Sequence, residues 1–211
     1  MKFAVAILAG VILLPQSVPI KDLVTTLDGR YNSIHSWQAE FTQIYTSGLS
    51  VRTESGQIYL EKPGKMRWNY EQPQKKTFLV AGDTVWQYTE GDRMATRTEV
   101  KNSSDLRTPL RYLLGHTDLN KELADLSYSG LEPIHTGDFV FHGRPLEGEA
   151  AGWREVWIEC TPAYEIDRLV IGGLDGSRND IRFSHIEPNR PPPKGIFRFT
   201  PPAGVQVLPG G

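Results

Sequence analysis

Five histidines, one cysteine and 25 carboxylates are the groups in this 211-residue chain whose types could do chemistry. His35, His116, His135, His142 and His185 never stand at the spacing that puts two ligands on one helix face. Only His135 and His142 are close in sequence, so the pattern predicts no metal site. The single Cys160 allows no internal disulfide and no Cys/His zinc spacing. It closes a strand-like run from Trp153, where a small apolar residue suits a core. Asp175-Gly176-Ser177 lacks the regular acidic ligands and closing glutamate of a calcium loop. The chain carries no G-x-S-x-G elbow, phosphate loop or dinucleotide fingerprint. Its carboxylates stand beside lysines and arginines, as on a solvated strand face. A glycosidase pair assembled only in space is the catalytic arrangement that spacing leaves open. The expectation is therefore a protein that is not an enzyme and needs no cofactor.

The aromatic residues are more informative. Five tryptophans, Trp37, Trp68, Trp86, Trp153 and Trp157, all lie in strand-like segments. They fill an ordinary sandwich core, or a curved sheet turns them toward an apolar cavity; periodicity alone leaves both readings open. Composition sets the frame: 39% hydrophobic and 23% charged residues fit neither a disordered chain nor a polytopic membrane protein. A formal charge of -2 gives no electrostatic footprint for nucleic acid. Thirty-five prolines and glycines, scattered as punctuation, favour many short strands.

The elements that would position these residues follow from periodicity. Leu23, Val24, Leu27, Tyr31 and Ile34 recur at intervals of three and four, which predicts a helix over Lys21 to Ile34. The period then becomes two: Trp37, Ala39 and Phe41 alternate with polar residues, as do Met66, Trp68 and Tyr70. Strands are expected at 51–61, 66–70, 77–80, 84–88 and 94–98, with turns between them. A leucine helix with Leu106, Leu110, Leu113 and Leu114 interrupts, and Asp118 to Leu126 adds a short helical turn. Strands return at 138–141, 153–160, 166–171, 179–186 and 196–199, with Asp175-Gly176 as a hairpin turn. The pattern is that of an antiparallel sheet, sandwich or barrel.

At the start, Met1-Lys2 and the uncharged run Phe3 to Pro15 read as an export signal, too short to span a bilayer. Residues 1–18 are assigned to it and 19–211 to one mature domain. No cysteine stands near its end, so N-terminal lipidation there is not expected.

From Trp37 onward the order of motifs resembles the periplasmic outer-membrane lipoprotein carrier family, LolA. The pieces are Trp37-Gln-Ala-Glu-Phe-Thr-Gln43, Gly56-Gln-Ile-Tyr-Leu-Glu-Lys-Pro-Gly-Lys-Met-Arg-Trp-Asn-Tyr70, Val80-Ala-Gly-Asp-Thr-Val-Trp-Gln-Tyr88, the leucine helix with Pro109, and Phe197-Arg-Phe-Thr-Pro-Pro-Ala-Gly-Val205. Each is degenerate alone; their order across the exported chain is specific. The stretch 130–152 matches least. The resemblance implies a mainly β fold with an α lid: an unclosed, strongly curved antiparallel barrel covered by short helices. It implies a periplasmic monomer that takes lipoproteins by their acyl chains from an ATP-driven inner-membrane release complex to an outer-membrane receptor. The implied cavity and lid residues are Leu23, Leu27, Tyr31, Trp37, Phe41, Met66, Trp68, Tyr70, Trp86, Leu106, Leu110 and Leu113. The residue before the turn proline, usually arginine in the family and tied to lid contact and release, is Lys62 here. The receptor role is disfavoured by the missing lipid-anchor cysteine. An envelope lipoprotein sensor would need a second domain. A lipocalin-like binder of a small apolar ligand is the alternative from another class.

Overall fold

The computed structural model describes residues 18–100 and 118–210. Helix α1 (Ile20–Ser33) leads into six strands: β1 (Ser36–Ser47), β2 (Ser50–Glu61), β3 (Lys65–Gln72), β4 (Lys76–Ala81), β5 (Thr84–Thr89) and β6 (Met94–Glu99). A one-turn helix α2 (Leu119–Glu122) precedes β7 (Leu123–Tyr128), β8 (Phe139–Pro145), β9 (Trp153–Cys160), β10 (Ile166–Gly173), β11 (Arg178–Pro188) and β12 (Gln206–Pro209). All twelve strands form one sheet in the order β12-β6-β5-β4-β3-β2-β1-β11-β10-β9-β8-β7. Every neighbouring pair is antiparallel except β12 and β6, which run parallel. The sheet is curved and unclosed, with β12 and β7 as its edges.

Alternation decides which residues face the core. Opposite residues of an antiparallel pair share a face, and the pairs Trp37↔Leu60, Ile58↔Trp68 and Phe41↔Phe183 put six apolar side chains on one side. Gly56 stands opposite Phe41. A Cβ there would come within 1.9 Å of the Asn69 carbonyl oxygen. The β2–β3 register shifts at Ser55/Gly56, so glycine is what lets β3 approach and the sheet bend beside the aromatic ring.

Helix α1 starts after Pro19, with Asp22 in its first turn and Arg30 in its last, both favourable to the helix dipole. Its stripe of Leu23, Val24, Leu27 and Tyr31 joins the same core cluster as the inward strand residues. Among the described residues, no helix is long and apolar enough to cross a membrane.

Two expectations need correction. The helical turn over Asp118 to Leu126 ends at Glu122, and Leu123 already begins β7. Leu119, Leu123 and Leu126 fit a helix by spacing, but β8 is there to pair with the chain from Leu123 onward. The span 196–199 is not a strand. It forms turns, with Ile196 N–H donating to Pro193 O at 3.1 Å and Arg198 N–H to Gly195 O at 3.0 Å. Strand β12, unforeseen in the sequence, instead closes the β6 edge. The predicted leucine helix, with Leu106, Leu110 and Leu113, lies outside the described residues.

Candidate functional site

The interior of the curved sheet is the candidate site. Phe41 is its hub: its ring lies edge-on to Trp68 at 4.6 Å and to Tyr70 at 5.0 Å. Trp37 meets Phe183 edge-on at 5.1 Å. Such pairs add about 0.5–1.5 kcal/mol each beyond burial. Leu23, Leu27, Tyr31, Trp37, Phe41, Met66 and Trp68 are all buried in one cluster, and Tyr70 packs half-buried against it. Seven of the inner residues chosen from the sequence are thus one body of apolar side chains.

Trp86 does not join them. It stands opposite Leu79 and Arg97, while its neighbour Val85 takes the inward position. On the outer face its ring packs against Phe199 at 5.3 Å. Successive residues of β5 point to opposite faces, so with Val85 inward Trp86 is outward. The segment that brings Phe199 is held by Arg67, whose guanidinium donates to Ile196 O at 2.9 Å and Arg198 O at 3.1 Å.

Beyond the packed aromatics the interior opens as a cleft of about 460 Å³. Met66, Trp68, Tyr70, Phe78 and Ile181 contribute its apolar wall. Its rim is polar: Lys76 pairs with Glu54, which Arg52 also meets at 3.3 Å, and the Lys76 ammonium lies 4.5 Å over the Tyr70 ring. Gln43, Thr77, Gln87, Thr89 and Asn179 line it as well, so the cleft sets an apolar wall beside polar and charged groups. Trp153 and Cys160, not chosen as site residues, also belong to the core. Burial pushes the Cys160 thiol up to about 12, so it is a core residue and no thiolate nucleophile.

Polar contacts also hold α1 against this interior. The Lys62 ammonium donates to Tyr31 O at 2.6 Å, in the last turn of the helix, where a cation also meets the negative end of the dipole. Partial burial lowers the Lys62 pKa from its ordinary value. The Tyr31 hydroxyl accepts from Ile166 N–H at 2.9 Å, and burial raises its phenol pKa. Asp28 accepts from Leu119 N–H at 3.0 Å, and Arg30 pairs with Glu165 at 3.3 Å. Asn120 Nδ2 also donates to Thr25 Oγ1 at 3.3 Å, so the helix is tied by a few polar contacts, most of them in its C-terminal half, and its stripe is held by apolar contact.

The protein-family model described as "Outer membrane lipoprotein carrier protein LolA" matches residues 32–200. Curated outer-membrane lipoprotein carrier proteins are similar along most of their length. That of Coxiella burnetii is 24% identical over 189 residues, covering 89% of this chain and 87% of the relative. That of Dechloromonas aromatica is 29% identical, with 81% and 80% covered. That of Methylobacillus flagellatus is 25% identical, with 97% of both covered. In fold, the chain is similar to an uncharacterized conserved protein of Thermus thermophilus, with a TM-score of 0.54 and 14% identity over 90% of this chain and 97% of that one.

Proposed function

Since the chain belongs to the LolA family of outer membrane lipoprotein carrier proteins, we propose that it is a periplasmic carrier that shelters the acyl chains of lipoproteins inside its curved sheet. In this reading residues 1–18 are removed on export. The carrier receives cargo from an ATP-driven inner-membrane release complex and gives it up to an outer-membrane receptor. The observation that carries the reading is α1: an apolar stripe sunk in an aromatic interior, and the Lys62 ammonium on the carbonyl of Tyr31.

The energetics explain how such a device runs. Leu23, Val24 and Leu27 are buried to within 1% of completely. At about 1.5–3 kcal/mol each, withdrawing all three costs roughly 5–9 kcal/mol. An acyl chain gains about 0.8 kcal/mol per methylene taken out of water, so roughly six to eleven methylenes replace what the helix loses. Coming from a membrane, however, the acyl chain was already in hydrocarbon and gains almost nothing. Opening is then uphill, and loading needs an external source of work. Delivery to a second apolar acceptor is downhill, because α1 closes again behind the departing cargo. Closed helix and bound lipid are exclusive states of one interior, and Lys62 weights the balance toward the closed one.

The test is to purify the mature chain from the periplasm of cells making a tagged lipoprotein, and to look for a soluble one-to-one complex by native mass spectrometry. The complex should form with the acylated lipoprotein and vanish when the cargo lacks its lipid. Lys62→Leu, which removes the bond to Tyr31 O, should retain cargo and pass it to acceptor membranes more slowly than the wild type. Recovery of an empty protein, or of one holding a small apolar molecule and ignoring lipoproteins, overturns the reading in favour of a lipocalin-like binder.

A further inference from the structure

The face of the sheet turned away from the core carries a second assembly. The segment 129–138 folds over β9 and β10 there. Ile134 N–H donates to Glu159 Oε1, and Glu132 O accepts from Arg168 Nη1 at 3.2 Å. This brings His135 onto the sheet, its Nδ1 3.1 Å from Asp167 Oδ2 and 3.5 Å from Asp138 Oδ2. One ligand atom from each of His135, Asp138, Glu159 and Asp167 lies within 4.8 Å of the others.

Two of these carboxylates are buried without adequate partners. The side chains of Asp138 and Asp167 are 5% and 7% exposed, and Asp138 Oδ2 and Asp167 Oδ1 accept no hydrogen bond. Buried charges are normally paired or bound to metal, because an uncompensated one costs several kcal/mol. The nearby cation is already committed. Arg168 grips Asp180 through Nε at 2.9 Å and Nη2 at 2.7 Å, and meets Glu159 Oε2 at 3.2 Å. Glu159 is spent as well, one oxygen on Ile134 and the other on Arg168. What remains open is Asp138 Oδ2, 3.5 Å from the imidazole Nδ1, and Asp167 Oδ1, on the carboxylate whose other oxygen meets the same nitrogen.

We propose that His135, Asp138 and Asp167 form a binding site for a divalent cation of the zinc class, with Glu159 as the outer partner that fixes the loop over it. The donor set decides the class. One imidazole nitrogen and two carboxylate oxygens, with a fourth position left to water, match zinc, whereas calcium takes six or more oxygens. The way in is open, since the His135 side chain is 65% exposed. The ligands come from the loop, from the residue that leads into β8, and from β10, so the ion would clamp the loop to the sheet on the side opposite the cleft. The site does not depend on the carrier reading, and its occupancy should leave cargo binding in place.

The test uses untagged protein freed of metal with a chelator. Zinc chloride is titrated into the wild type, His135→Ala and Asp138→Asn by calorimetry, with stoichiometry read by native mass spectrometry. The wild type should take one zinc ion, raise its melting temperature with it, and bind it at least ~10-fold more tightly than either variant; calcium chloride should give no one-to-one binding. Because His135 is exposed, His135→Ala should fold as the wild type does. Failure of the wild type to bind at micromolar zinc overturns the proposal. So does undiminished binding by His135→Ala, which would assign the ion to other histidines, or by Asp138→Asn.

Discussion

The two faces of the β9–β10 region are built from opposite kinds of contact. Inward, Ile158, Cys160, Leu169 and Ile171 join the apolar cluster that also takes α1. Outward, Glu159, Arg168 and Asp180 form a buried ionic chain, with arginine bonded to both carboxylates. Apolar contact has no direction, so one apolar surface can replace another at nearly equal free energy. A buried ion pair is worth something only in its own geometry, and breaking it leaves a charge stranded. The carrier proposed above, exchanging its helix for a lipid while keeping its shape, would use both: replaceable contacts on the face that opens, irreplaceable ones on the face that holds the strands in place.

The sharpest way to break this contrast is Arg168→Leu, which leaves Glu159 with the Ile134 N–H and Asp180 with the more exposed Arg178 and Arg182 at 3.6 and 3.4 Å. It should cost about 3–5 kcal/mol in urea unfolding; a cost below about 1 kcal/mol would mean that the outer chain locks nothing. Inside, Met66→Leu changes a residue that is 1% exposed but keeps its apolar character and approximate volume. Its expected cost is less than ~1.5 kcal/mol by the same measurement. The smallest effect has the opposite sign. Gly29 is exposed in the middle of α1, and a Cβ there would meet nothing within 4 Å. Gly29→Ala should stabilise the closed protein by about 0.5–1 kcal/mol, read from its melting temperature. By the exclusive-states argument it should also weaken cargo loading, and a variant that loads better than the wild type would separate helix stability from closure.

Much of the inner face was legible in the sequence because one side of each early strand is apolar and the other polar. Trp37, Phe41, Met66 and Trp68 follow that rule, and so does the stripe of α1. Trp86 stands on the other face, because alternation along β5 fixes only that it and Val85 point opposite ways, and the inward position goes to Val85. Leu123 and Leu126, three apart, fit a helix, and only pairing with β8, with its register shift between Ala124 and Ser127, makes the segment a strand. The outer cluster was hidden for another reason. His135, Asp138, Glu159 and Asp167 come from three segments that no short spacing links, and they meet only because β8, β9 and β10 are neighbours. The ionic side chains of β9 and β10 look like any solvated strand face until the segment 129–138 is laid across them.

An unclosed sheet keeps two free edges, and free edges invite another chain to add itself. The two terminal strands are poor templates for that. β12 has only four residues and ends in Pro209, which has no N–H to offer. β7 is interrupted by a register shift between Ala124 and Ser127, with Asp125 at a φ of 54°. Short, proline-ended or bulged edges discourage strand addition. The gap in the barrel that leaves room for an amphiphile would otherwise be an opening for self-assembly, and these edges let the molecule stay open without becoming sticky.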